Sequence, residues 1–179
     1  MKRLLPLALL LALPLAAQPQ LLNSFEAAPL QGWQSKDNVK LAVTNSQDAT
    51  RKGALRCAAV FEKFTYAWIR KLDLKAGAFS LEKAGGIMFW ARVEAPAALA
   101  VHLTWVDENK KEIRHAASVA VTDKWQQYTV PYAAFKKEPG GTALGAEEAG
   151  KITWLTFTLG KKEAAQTALW LDDVSFMAK

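Results

Sequence analysis

The chain has 179 residues, of which 51% are apolar and 22% charged, and it contains ten Gly, seven Pro and one Cys. This composition is typical of a globular domain with a hydrophobic core, and it excludes a disordered tail, a collagen-like chain, a coiled coil and a disulfide-rich miniprotein. The formal charge of +6 is modest, and two of the positive charges, Lys2 and Arg3, lie in a segment expected to be removed. We therefore expect neither a nucleic acid nor an anionic membrane as partner.

The first segment, residues 1–17, has the pattern of a secretory signal peptide. Two positive residues precede the apolar stretch 4–17, which is 14 residues long and interrupted by two prolines. A membrane-spanning helix needs about 20 apolar residues, so this pattern disfavours a retained anchor. We expect cleavage after Ala17, a single mature domain of residues 18–179, no membrane attachment after cleavage, and a secreted or periplasmic protein.

From Leu21 onward, apolar residues alternate with polar ones at period two, in short runs separated by turn residues. This pattern predicts an all-β domain, because successive side chains of a strand point to opposite faces of its sheet. Ten strands without a linker or repeat between them favour one two-sheet β-sandwich or jelly roll. The predicted strands are Leu22 to Glu26, Val39 to Asn45, Ala54 to Phe61, Tyr66 to Leu72, Gly86 to Val93, Leu99 to Asp107, Ile113 to Thr122, Trp125 to Pro131, Ile152 to Leu159 and Thr167 to Phe176.

Alternation within these strands also separates buried from exposed side chains. Cys57 lies in an apolar run and is predicted to be a core thiol; as the single cysteine, it excludes an intrachain disulfide. Trp90 and Trp170 alternate outward on the sheet opposite the polar face described next, either as structural cover or as a secondary contact surface. Three further tryptophans are predicted in the core: Trp33, Trp105 and Trp125.

Four strands, those beginning near Tyr66, Leu99, Ile113 and Ile152, carry an outward mixture of aromatic and polar residues. A pyranose ring packs its C–H groups on a Trp or Tyr ring, and its hydroxyls need hydrogen-bond donors and acceptors, so this mixture predicts a sugar-binding face. The alternative is that each outward Trp packs beneath a loop. If the four strands share one sheet, its outer face carries Tyr66, Trp68, Arg70, His102, Thr104, Arg114, Ser118, Trp154 and Thr156.

Several segments occur in a characteristic order: Leu22-Asn23-Ser24-Phe25-Glu26 with Trp33, Lys52-Gly53-Ala54-Leu55, Gly86 to Ala91, Trp125 to Pro131 with Phe135, and Leu169 to Val174. Together they resemble the galactose-binding-like jelly roll. Within that superfamily the chain is similar to carbohydrate-binding modules that attach to plant or microbial polysaccharides, including the β-glucan-binding kind. The superfamily also contains adhesion and protein-binding members, so the resemblance is more specific for the fold than for the ligand.

The resemblance also implies a structural calcium ion that ties the first strand to the last. Its ligands would be Glu26, Asp172 and the carbonyl of Lys52, with Asp48 as a further contributor and Asp173 as an alternative ligand. Calcium prefers six to eight oxygen ligands, and two carboxylates with backbone carbonyls belong to that type. The alternative is that the two carboxylates face solvent or pair with lysines.

The sequence contains none of the common catalytic motifs, and the chain is predicted not to be an enzyme. H-E-x-x-H, G-x-S-x-G and a phosphate-binding glycine loop are all missing, and there are only two histidines. A glycosidase needs two carboxylates that flank a cleft. The obvious acidic pairs lie in predicted loops or at the expected calcium position: Asp107-Glu108, Glu147-Glu148 and Asp172-Asp173.

Two non-enzymatic hypotheses remain. The first is a secreted protein that binds a β-glucan-like polysaccharide on the aromatic and polar face. The second is an extracytoplasmic structural or adhesion domain that binds a protein partner, with Trp90 and Trp170 as interface anchors. Aromatic rings that line one open groove would favour the first hypothesis, and rings buried under loops would favour the second.

Overall fold

The described part of the chain consists of twelve strands, one short helix, α1 (Ala146–Ala149), and brief 3₁₀ turns. No helix in this part is long and apolar enough to cross a membrane. The predicted signal peptide lies outside the described residues. The computed structural model describes residues 18–26, 30, 32–48, 51–74, 80–160 and 166–179.

The strands form two antiparallel sheets. Sheet A has the order β3-β4-β12-β6-β9, with β1 alongside β12, and sheet B has the order β10-β8-β7-β11-β5-β2. The strands are β1 (Gln20–Asn23), β2 (Trp33–Ser35), β3 (Val39–Asp48), β4 (Arg51–Val60), β5 (Tyr66–Lys71), β6 (Ala84–Val93), β7 (Ala97–Val106), β8 (Glu112–Val121), β9 (Gln126–Pro131), β10 (Lys136–Lys137), β11 (Trp154–Gly160) and β12 (Gln166–Ala178).

The inner faces of the two sheets enclose one hydrophobic core. Phe89 of sheet A meets Phe157 of sheet B with 5.1 Å between ring centroids, and Trp33 stacks on Phe157 at 6.5 Å. Cys57 is buried in this core, and burial raises the pKa of its thiol far above the usual value, so the thiol stays protonated. The two sheets are therefore joined by a close-packed aromatic and aliphatic layer.

The prediction of a two-sheet jelly roll is confirmed, and each of the ten predicted strands is present with ends within three residues of the predicted ones. The sequence analysis missed β2 and β10, because strands of three and two residues are too short to show alternation. The core positions of Trp33 and Trp105 are confirmed. The core prediction for Trp125 is wrong, since its half-buried ring packs on the outer face of sheet A.

Candidate functional site

The four strands that carry the predicted sugar-binding residues are neighbours in sheet B, in the order β8-β7-β11-β5. Their registers place Thr156 between Arg70 on one side and His102 on the other. Strand alternation buries the intervening residues, so these side chains share the outer face of the sheet. Pairing between strands far apart in sequence thus brings the predicted residues onto one surface.

A cavity of about 430 Å³ opens on this face. Small side chains form its floor and leave space above the sheet. Thr158 pairs with Ala100, and Ala100 pairs with Ser118. Larger side chains stand on either side of this floor. The cavity, called the groove below, is lined by Tyr66, Trp68, Arg70, His102, Arg114, Thr156 and Thr158.

Arg70 joins two tryptophans along one side of the groove. Its guanidinium carbon lies 5.1 Å from the ring centroid of Trp68 and 5.0 Å from that of Trp154. The Nε group donates a hydrogen bond to Thr156 Oγ1 at 3.1 Å, and Nη2 lies 3.9 Å from a Glu112 carboxylate oxygen. Burial lowers the pKa of Arg70, but a guanidinium remains charged at every physiological pH. These contacts fix the arginine between the rings.

A chain of charged groups continues from Arg70 across the groove. Arg114 contacts Glu112 at 3.3 Å with one terminal nitrogen and Glu138 at 3.6 Å with the other. The same Glu138 oxygen lies 3.8 Å from Nδ1 of His102. Burial lowers the pKa of His102, so its imidazole is neutral at pH 7. Two guanidinium groups therefore face two carboxylates, and their charges balance.

Tyr66 stands at the open end of the groove and is 44% exposed. The Nζ atom of Lys36 lies 3.7 Å from the centroid of the tyrosine ring. Hydrogen bonding by this ammonium group, together with its positive charge, lowers the pKa of the phenol. The backbone amide of Lys36 donates to the carbonyl oxygen of Trp68 at 3.1 Å. One face of the Tyr66 ring is thus covered by a lysine from the edge of sheet B.

Six of the eight ligand-binding residues predicted from the sequence line the groove, and Thr104 and Trp154 do not. Thr104 faces the same side but is only 1% exposed, and Trp154 lies half-buried against Arg70. The sequence analysis missed Glu112 and Glu138. Alternation could have found Glu112, which is two residues before Arg114, whereas Glu138 follows β10 in a loop that has no periodic pattern.

The outer face of sheet A carries the same residue types in a closed arrangement. Arg92 lies 4.0 Å and Arg56 5.6 Å from the ring of Trp170, which is only 8% exposed. Trp125 packs over this ring and donates from Nε1 to a backbone carbonyl at 3.1 Å. Trp90 is likewise covered by Arg51, at 3.6 Å. These contacts favour structural cover for the two outward tryptophans.

The residues expected to bind calcium lie together where β1, β4 and β12 meet. Glu26 Oε1 accepts hydrogen bonds from the backbone amides of Lys52, at 3.1 Å, and Gly53, at 3.4 Å. A Cβ at Gly53 would collide with the carbonyl oxygen of the residue before Glu26, so glycine allows this close approach. The Asp172 carboxylate is 1% exposed and contacts Arg51 Nε at 3.4 Å. The expected ligands therefore share one junction.

The oxygen groups at this junction are two carboxylates and a backbone carbonyl, the type of donor that calcium binds, and one of the carboxylates already faces Arg51. Burial raises the pKa of Asp172 to about 7, and the nearby Glu26 and Asp173 carboxylates also raise it, although Arg51 opposes them. The backbone N–H of Asp173, which donates to Asp172 Oδ1 at 2.8 Å, also acts to lower this pKa. Within the described ranges, no three His, Cys, Asp or Glu side chains are close enough to hold a metal. Two carboxylates would need backbone oxygens such as the Lys52 carbonyl to complete the coordination.

Comparison with known proteins identifies the fold. No family model and no curated protein matches the sequence. Among solved structures, the family 11 carbohydrate-binding module of the cellulase Lic26A-Cel5E of Clostridium thermocellum superposes with a TM-score of 0.66 at 13% identity, over 92% of this chain and 96% of that one. The same organism's family 11 module in complex with a β-1,3-1,4-mixed-linked tetrasaccharide gives 0.65 at 14% identity, over 89% and 95%.

A third similar structure is the CBM22-1 xylan-binding domain of Xyn10C from Paenibacillus barcinonensis. Its TM-score is 0.63 at 22% identity, over 91% of this chain and 96% of that domain. All three matches span nearly the whole of both chains, so the similarity covers the complete sandwich. The chain therefore has the jelly-roll fold of these carbohydrate-binding modules.

Proposed function

We propose that this protein is a non-catalytic carbohydrate-binding protein that binds a β-glucan-like polysaccharide in the groove of sheet B. The observation that carries the proposal is the groove itself, a concave surface with Trp68 and Tyr66 on one side and Arg114 on the other. The fold shared with carbohydrate-binding modules supports it. The groove combines aromatic surface with hydrogen-bonding groups, as sugar recognition requires.

Binding would use ring stacking for affinity and polar groups for orientation. The C–H face of a sugar ring would pack on the Trp68 side, where Arg70 holds the aromatic surface in place. Thr156, His102 and Arg114 would exchange hydrogen bonds with the hydroxyls. We expect weak binding per site, because a polar ligand in an open groove gains little net binding free energy once the cost of desolvation is subtracted.

The charge balance of the groove supports an uncharged ligand and a role without catalysis. Two arginines face two glutamates, so their charges compensate each other and the sole further charge beside the described groove lining is that of Lys36 at Tyr66. A glycosidase needs one carboxyl group that protonates the leaving group and a second that attacks or activates water. Here Glu112 and Glu138 both lie against Arg114, as members of an ion-pair network.

The proposal includes export and a structural calcium ion. The signal-peptide pattern of residues 1–17 supports secretion or a periplasmic location for a single mature domain, residues 18–179. Glu26, Asp172 and the Lys52 carbonyl would hold the calcium ion, and its charge would join β1, β4 and β12. The ion would be structural and would take no part in ligand binding.

The alternative of a protein-binding domain has less support. That hypothesis uses Trp90 and Trp170 as interface anchors, but both rings lie under arginine side chains, and Trp125 also covers Trp170. An anchor residue needs a ring that is available to enter a partner's surface. The accessible aromatic residues of the groove favour sugar binding instead.

The proposal is tested by titrating intrinsic tryptophan fluorescence with mixed-linked β-glucan, xylan and mannan, and with laminarin. We expect saturable binding to at least one glucan, lost in Trp68→Ala and weakened in Trp154→Ala. Trp170→Phe, on the opposite face, is the matched control and should bind like the wild type. Thermal unfolding of every variant separates lost binding from lost fold. A folded wild-type protein that responds to no polysaccharide in the panel would overturn the proposal.

A further inference from the structure

A second cavity, of about 490 Å³, adjoins the groove at the β8 edge of the sheet, and it is called the rim cavity below. We propose that the rim cavity is a second subsite, which binds the next sugars of the same uncharged chain through hydroxyl hydrogen bonds to Glu112 and Glu138. This proposal rests on the proposed function of the groove. The rim cavity is lined by Glu112, Arg114, Glu138, Pro139 and Gly140.

The two cavities adjoin each other at Arg114, which lines both of them. Arg114 lies on β8, so a chain that crosses the strands from β5 toward β8 reaches this arginine at the far side of the groove. Its guanidinium is held on both sides by carboxylates, and it is 42% exposed. Arg114 therefore marks the boundary between two parts of one binding surface.

The wall of the rim cavity is anchored to the sheet. The backbone amide of Glu138 donates to the carbonyl oxygen of Arg114 at 2.9 Å, and β10 pairs with β8 immediately before it. Gly140 has a φ of 60°, which lets the chain turn back at the cavity mouth, and a Cβ there would meet no atom within 4 Å. A ligand would thus meet a fixed wall with open space in front of it.

The chemistry of the rim cavity differs from that of the groove. Its lining has no aromatic side chain, so stacking cannot hold a sugar there. An ionised carboxylate only accepts hydrogen bonds, and Glu112 and Glu138 are 41% and 45% exposed, which leaves oxygen lone pairs for ligand hydroxyls. Hydrogen bonds to a charged acceptor are stronger than neutral ones. Uncharged sugar hydroxyls match this set of acceptors.

The same carboxylates disfavour an acidic sugar. A uronic acid in the rim cavity would bring its own carboxylate toward Glu112 and Glu138, while the nearest guanidinium, that of Arg114, already faces both. His102 adds no compensating charge at neutral pH, because burial lowers its pKa. Its Nδ1 atom is buried without a hydrogen-bond partner among the described residues, so it adds one neutral polar atom at the boundary.

The test compares a short and a long uncharged ligand by NMR and calorimetry. We expect cellobiose to shift the indole signals of Trp68 and Trp154 only, and a mixed-linked β-glucan hexasaccharide to shift the amide of Gly140 as well. Glu138→Ala should weaken hexasaccharide binding about tenfold more than cellobiose binding, since a charge-assisted hydrogen bond to the ligand is removed only from the longer complex, whereas the ion pair with Arg114 is lost from both. Glu94→Ala, an exposed acidic residue in the turn between β6 and β7, is the matched control. A hexasaccharide of galacturonic acid should not shift the Gly140 amide.

Two results would overturn the subsite and leave the groove intact. The first is a hexasaccharide that shifts the two indole signals but never the Gly140 amide. The second is a Glu138→Ala variant whose affinities for the two ligands change by the same factor. If neither ligand shifts the indole signals of the folded protein, the proposed function itself fails, and the subsite with it.

Discussion

The outer faces of the two sheets carry the same pairing of arginine with tryptophan, yet they present different surfaces. On sheet B, Arg70 lies between Trp68 and Trp154 beside a groove of about 430 Å³. On sheet A, the Trp170 ring is 8% exposed beneath Arg92 at 4.0 Å. Composition and alternation alone therefore do not distinguish a ligand-binding face from a covered one.

The neighbours across the strands account for the difference. Trp68 of sheet B pairs with Thr158, which is followed across the sheet by Ala100, so space remains beside the ring. Trp170 of sheet A pairs with an arginine on either side, Arg56 and Arg92. Side chains directly opposite each other on one face are in contact. Small neighbours thus leave a cavity, and long ones cover the ring.

The largest effect that tests this comparison is expected at Trp170. Replacing it with Ala should lower the free energy of unfolding by about 3 kcal/mol, because a large buried ring is removed from between two arginines. Polysaccharide affinity should remain that of the wild type. Chemical denaturation and glucan titration of the same preparation measure both quantities.

Trp68→Ala is the reciprocal variant. It should lose glucan binding with a smaller loss of stability, since its ring lines an open groove. If Trp170→Ala abolished binding while the protein stayed folded, the functional assignment of the two faces would be reversed.

The next largest effect concerns the junction of β1, β4 and β12 on sheet A. Calcium at about a hundred times its dissociation constant should stabilise the fold by about 2.7 kcal/mol, which raises Tm by about 5–10 °C for a domain of this size. The measurement is thermal unfolding in EDTA and after calcium is restored. Glu26→Gln should abolish the calcium-dependent shift, because it removes one of the two proposed carboxylate ligands. An equal Tm with and without calcium would exclude the ion.

Much of the fold follows from the sequence, since alternation locates a strand wherever one face is buried. The run Val101-His102-Leu103 shows this clearly, with Val101 and Leu103 buried and His102 on the outer face. The short strands β2 and β10 carry too few residues for such a pattern. The core prediction for Trp125 fails because Tyr128 and Val130 take the inner face of β9, so the alternation places Trp125 on the outer side, where it packs near Trp170.

The candidate site was less predictable than the fold, because its shape depends on partners that are distant in sequence. Alternation indicates that Thr104 faces outward, but not that its neighbours bury it to 1% exposure. Glu138 reaches His102 and Arg114 only because it continues the pairing of β10 beside β8. Such a contact is set by tertiary structure, and no local pattern encodes it.

A matched pair of arginine substitutions gives a smaller effect. Arg92→Met should lower the free energy of unfolding by about 1 kcal/mol through the lost cation–π contact with Trp170, without a change in affinity. Arg70→Met should instead weaken glucan binding, since Arg70 holds Trp68 and bonds Thr156 in the groove. The pair is measured by denaturation and calorimetry. Equal effects of both variants on binding would contradict the division between the faces.

The last comparison is between the two faces of sheet B itself, through its two histidines. His102 lies on the groove side, whereas His115 on the adjacent strand faces inward, is fully buried and stacks on Trp105 with 5.3 Å between ring centroids. Glu148 Oε2 lies 3.6 Å from His115 Nε2. Burial lowers the pKa of both histidines, although the nearby carboxylates oppose it.

The two histidines should therefore lower the free energy of unfolding as the pH falls through about 6.5, the ordinary histidine pKa, whereas Asp172, whose pKa burial raises to about 7, acts in the opposite direction. Below about pH 6.5 the two histidines bind protons in the unfolded chain. In the folded protein their lowered pKa values keep them neutral, so their protonation favours unfolding. The measurement is urea denaturation between pH 7.5 and pH 5.5. The histidine contribution is measured as the difference between each histidine variant and the wild type. His115→Phe keeps a ring beside Trp105 and should flatten this dependence, whereas His102→Gln should mainly flatten the pH dependence of glucan binding. If His115→Phe left the stability profile unchanged, the acid sensitivity would belong to other groups, and the inner face of sheet B would have no part in it.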